Sequence, residues 1–117
     1  MKPKIIGVYS IIIGISIIIL WVGILLSNSI SEGSIEISFH LVSELLMAIS
    51  CIISGFLILK ESKLGKGLNI IAHGMVLYSV LNATGYYGQK GYFLFIIVFL
   101  ILFFLSSLVL IYHLKTS

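Results

Sequence analysis

The sequence predicts an all-α fold: a bundle of four transmembrane helices, with both chain ends on the cytoplasmic side. Three observations carry this expectation. First, the chain is 60% hydrophobic and only 9% charged, with a mean hydropathy of +1.24, whereas soluble domains carry about 25% charge. A soluble domain of this size could not hide so much apolar surface, because small domains leave much of their surface exposed. Second, the apolar residues gather into four runs, each near the ~20 residues a helix needs to cross a ~30 Å hydrocarbon core. Third, the lysines lie at the ends of those runs, as membrane anchors do, with a one-sided alternation.

The first run extends from Ile5 to Leu26. It is longer than the ~7–15 residues of a signal-peptide core and no A-x-A site follows, so it is expected to be a retained helix. The second runs from Phe39 to Leu59, the third from Leu68 to Tyr86 and the fourth from Tyr92 to Tyr112. Isoleucine is abundant throughout. Its β-branch lowers helix propensity in water, but in lipid an unpaired amide costs several kcal/mol, so the helix prevails. The segments Ser27 to Ser38, Lys60 to Gly67 and Gly85 to Gly91 are rich in Ser, Gly, Asn and charge, as turns are. They leave no room for a separate soluble domain, so residues 1–117 are expected to form one transmembrane domain.

Lys2, Lys4, Lys60, Lys63, Lys66 and Lys115 fall on one side of the alternating helices and only Lys90 on the other. Because cytoplasmic loops collect basic residues, the majority side is expected to be cytoplasmic. Trp21 then belongs near the outer interface, where an indole is favoured. Lysines so placed at the ends of apolar runs read as membrane anchors, so no nucleic-acid partner is expected. With a single cysteine, Cys51, there is no intrachain disulfide and no multi-cysteine metal site. All seven basic residues are lysines and isoleucine dominates, a composition that suits an A/T-rich prokaryotic genome.

Helical periodicity assigns faces. In the second run His40, Glu44, Met47, Cys51, Ser54 and Gly55 share one side, and aliphatic and aromatic residues fill the other. The first side is expected to face protein, since a carboxylate in hydrocarbon is heavily penalised. Gly7, Ser10 and Gly14 repeat at spacings that let helix backbones approach closely. The third run is polar on two sides, Asn69 and His73 on one and Gly74, Tyr78, Asn82 and Gly85 on the other, which places it centrally. The fourth carries Phe95, Phe99, Leu102, Ser106 and His113 along one stripe and otherwise borders lipid.

Depth follows from orientation and helical rise. Glu44 lies about 6 Å below His40, and Asn82 about 6 Å below the outer end of its helix. His40, Glu44, Tyr78, Asn82 and Tyr86 therefore share one outer-leaflet depth and form the candidate ligand-binding site. His40 and His73 are separated by roughly 20 Å, too far to hold one haem between them. His73 and His113 lie toward the inner side and are expected to matter little, His113 reading as a helix end at the interface.

His40-x-x-x-Glu44 places an imidazole and a carboxylate on adjacent turns of one face. Such a pair can relay protons, or be a structural pair with Glu44 held by Asn82 or a tyrosine; as a metal site it lacks further ligands. Asn82-Ala-Thr84 matches an acceptor pattern for glycosylation but falls inside the third helix. Gly85-Tyr86-Tyr87-Gly88-Gln89 reads as a turn with interface-anchoring aromatics, and Cys51 as an inert packing residue. The chain has no phosphate loop, dinucleotide fingerprint, H-E-x-x-H or nucleophile elbow.

His40-x-x-x-Glu44, followed by Gly74-Met75-x-x-Tyr78-x-x-x-Asn82-x-x-Gly85-Tyr86-Tyr87-x-Gln89, resembles a group of small prokaryotic four-helix membrane proteins. The resemblance spans about half the chain, omits His73, and implies a fold without an activity.

Three function classes follow. The expected one is a structural or accessory protein of the cell membrane, self-associating or a subunit of a complex, with membrane lipid as its surroundings and no cofactor. The alternatives are a binding or proton-linked transport protein with an outer-leaflet pocket around Glu44, and a haem- or quinone-binding redox protein. Sparse chemistry weighs against an enzyme.

Overall fold

The computed structural model describes residues 2–27, 34–89, 91 and 93–116; the side chains of 24, 25, 27, 34–37, 86 and 87 lie outside that description. Its described residues form four helices: α1 (Pro3–Ser27), α2 (Ser34–Leu59), α3 (Lys63–Gln89) and α4 (Phe93–Lys115). Each is long and apolar enough to cross a membrane, with mean hydropathies of 2.7, 2.2, 1.2 and 3.3 along the series. α1 and α4 are apolar around their whole circumference, which is the pattern of a helix solvated by lipid rather than water. The chain divides into two compact units, Met1–Asn69 and Ile70–Ser117, and the boundary falls within α3.

In the first unit α1 and α2 run antiparallel in intimate contact. Gly7 meets Gly55 and Leu59, Gly14 meets Ala48 and Ile52, and Trp21 meets His40. These meeting points recur every seven residues along α1, the interval at which one seam of a helix keeps facing a partner. A Cβ on Gly7 would stand 2.9 Å from the Gly55 carbonyl oxygen, and one on Gly55 would stand 2.6 Å from that of Gly7. No side chain fits there, so the glycines set the helix separation. In lipid, where apolar surface gains little from burial, such van der Waals contact is a main source of helix adhesion. Ile6, Ser10, Ile13, Met47, Cys51 and Ser54 complete the buried seam.

The turn from α2 to α3 is shorter than the sequence suggests. Glu61 takes a left-handed conformation with φ 59°. Its N–H donates to the Ile58 carbonyl at 3.0 Å, and that of Ser62 to the Leu57 carbonyl at 2.9 Å. This is the doubly bonded helix stop that normally uses glycine at the left-handed position. Ser62 then caps α3, its Oγ accepting from the Leu64 N–H at 3.4 Å. Residues Lys63 to Gly67, read as loop from their charge and glycine, are therefore the first turns of α3.

In the second unit α3 continues to Gln89, so the Gly85–Gln89 segment is helix, not turn. Gly91, with φ 79°, makes the reversal into α4, its N–H donating to the Gly88 carbonyl at 3.1 Å. α4 buries Ser106, Val109 and His113 and leaves most of its aliphatic and aromatic surface exposed. The expected runs 5–26, 39–59, 68–86 and 92–112 thus each extend at one or both ends, most of all at α2 and α3.

Candidate functional site

The most completely connected polar site of the first unit centres on Asn69. Its side chain is fully buried, as are Ser10 of α1 and Ser54 of α2. The Asn69 amide nitrogen donates one hydrogen to Ser10 Oγ at 2.9 Å and the other to Ser54 Oγ at 2.8 Å. Each hydroxyl passes a hydrogen onward along its own helix, Ser10 to the Ile6 carbonyl at 2.8 Å and Ser54 to the Cys51 carbonyl at 3.2 Å. One amide thereby ties three helices. The close α1–α2 seam makes this possible, because only small residues at Gly7, Gly14 and Gly55 bring the two serines within reach of a single nitrogen.

In the second unit the buried His73 pairs with Ser106 of α4, Nδ1 to Oγ at 3.1 Å. His113, two turns beyond Ser106 in the same helix, is also buried, with its ring 5.9 Å from that of Tyr112. His73 thus links α3 to α4, with a serine rather than a second histidine as its partner, and His113 is buried rather than at an exposed helix end.

The residues expected to form an outer-leaflet pocket are placed as follows. His40 is exposed, its ring 5.3 Å from that of the buried Trp21 and tilted by 57°. Glu44, one turn on, is half-buried. Among the described side chains of α2 the first buried one is Met47, later in the helix than the stripe from His40 implies. His40 and Glu44 belong to the first unit, Tyr78 and Asn82 to the second. Tyr78 and Asn82 are both exposed, and the side chain of Tyr86 lies outside the described residues. Cys51 is fully buried, and Thr84 bonds back to the Val80 carbonyl at 2.8 Å inside α3. Among the described residues no three His, Cys, Asp or Glu side chains converge on one point.

A family model described as a domain of unknown function, DUF8058, matches residues 1–117. The chain belongs to the DUF8058 family. Neither the curated proteins nor the solved structures gave a match to it. The DUF8058 match covers both units, so the Asn69 tie and the His73–Ser106 pair both lie inside the family's domain.

Proposed function

We propose that this DUF8058 chain is a multi-pass protein of the cell membrane with a structural role, either self-associating or acting as a subunit of a larger membrane assembly. The observation that carries this reading is the use of its buried polar side chains. Asn69, Ser10 and Ser54 are joined helix to helix, as are His73 and Ser106. In lipid, hydrogen bonds of this kind hold helices together. Outside them the chain presents aliphatic and aromatic surface along its length. The chain ends face the cytoplasm in this reading, because that puts six lysines inside and one outside. A prokaryotic source fits the composition and the resemblance carried by His40, Glu44, Tyr78 and Asn82. Chemical crosslinking in native membranes tests the assembly: discrete dimers or larger complexes are expected, and a strictly monomeric, partnerless chain would refute it.

A second reading has its own support. His40 beside Trp21, with Glu44 one turn deeper and only half-buried, leaves an imidazole and a carboxylate accessible at one end of the α1–α2 pair. A ligand or proton site centred on Glu44, with His40 beside it, would use them. Proton flux in proteoliposomes decides this: Glu44→Gln should abolish it, and unchanged flux rejects the reading.

A further inference from the structure

We propose that the lysine-rich end of the first unit is a binding site for an anionic phospholipid; the proposal rests on the membrane placement above. Gly7 packs on Gly55 and Leu59, so the start of α1 lies beside the end of α2. Asn69 reaches Ser10, so the first turns of α3 stand at the same end. The packing therefore gathers Lys2, Lys4, Lys60, Lys63 and Lys66 there, joined by Glu61 as counter-charge. The end is strongly net positive.

Beside these charges the surface of α1 forms an open groove of about 470 Å³, lined by Lys2, Lys4, Ile5, Val8, Tyr9 and Ile12. That volume is in the range of ligand clefts, about 300–1,000 Å³. Its wall is almost wholly apolar: the stems of Lys2 and Lys4 open it, Ile5, Val8 and Tyr9 follow, and Ile12 ends it, so the two ammonium groups stand at its mouth rather than in its lining. The charged groups suit a phosphodiester, and the aliphatic wall suits an acyl chain. A free phosphate would use only the mouth, and a neutral lipid only the wall. The occupant that uses both is a lipid with an anionic headgroup, and basic residues beside a membrane attract such lipids by about 1 kcal/mol each, or about fivefold per lysine.

The test is retention of phosphatidylglycerol against phosphatidylcholine by the purified full chain in neutral detergent, read by native mass spectrometry. Phosphatidylglycerol should be retained roughly 25-fold or more over phosphatidylcholine, and less so as ionic strength rises. The double variant Lys2→Gln/Lys4→Gln should lose roughly 25-fold of that preference, Lys2→Arg/Lys4→Arg should keep it, and Lys115→Gln should leave it unchanged. Glycerol 3-phosphate at equal concentration should not compete. Equal retention of the two lipids, a preference untouched by Lys2→Gln/Lys4→Gln, or full competition by glycerol 3-phosphate would each overturn the proposal. Binding in detergent is independent of orientation, so a failed orientation and a failed lipid site give different results.

Discussion

At the scale of single residues, Asn69 is the side chain on which the first unit depends. It makes two buried hydrogen bonds to two other helices. Interhelical bonds in membranes are worth about 0.6 kcal/mol on average and up to about 1.7. Asn69→Leu should therefore lower unfolding stability by about 1–3 kcal/mol, measured by denaturant titration in mixed micelles. Ser10→Ala or Ser54→Ala should each cost only about half as much, since the other bond survives. Ser106→Ala, which leaves His73 without its hydroxyl partner, should cost about 1 kcal/mol in the same assay. All three side chains of the Asn69 tie stand on stripes that the sequence marks as polar or small. Their pairing was not legible, because Ser10 lies 59 positions and Ser54 15 positions from Asn69. The His73–Ser106 pair was hidden for a further reason: serine in a greasy helix also satisfies itself on its own backbone, as Ser107 does on Phe103 at 2.8 Å.

At the scale of helices, the α1–α2 seam is the feature most plainly written in the sequence. The spacing of Gly7, Ser10 and Gly14 announces a close approach, and Gly55 answers it on α2. Gly55→Ala would place a methyl 2.6 Å from the Gly7 carbonyl, and overpacking of that kind costs about 1–3 kcal/mol. The same denaturation experiment should show the loss, whereas Gly74→Ala, with open space around it, should be neutral or mildly stabilising. Helix ends were less legible than helix cores. Charge and glycine at Lys63 to Gly67 resemble a loop, yet the stop signal resides in Glu61, a residue with no local marker for a left-handed backbone. Because that conformation costs a non-glycine residue roughly 1–2 kcal/mol, Glu61→Gly should raise the unfolding midpoint modestly. A lowered midpoint would show that the Glu61 side chain contributes more than its backbone strain removes.

At the scale of the whole molecule, the four helices share one property, a length and hydropathy suited to a bilayer. α4 shows it most strongly, with only 11% of its span buried and an exterior of Phe, Ile, Leu and Val. In water such a surface would drive aggregation; in lipid it is already solvated. The four apolar spans were legible because composition acts at this scale and needs no knowledge of contacts. Helical faces and rise place His40, Glu44, Tyr78, Asn82 and Tyr86 on polar stripes at a shared depth, but neither says which side chains turn toward one another. Orientation is the central claim and can be read directly by single-cysteine labelling in a Cys51→Ala background, with an impermeant maleimide on intact cells. Ser38→Cys and Gln89→Cys should label in intact cells, while Ser62→Cys and Thr116→Cys should label only after the membrane is opened. Labelling of Ser62→Cys and Thr116→Cys in intact cells, with Ser38→Cys and Gln89→Cys protected, would contradict the account.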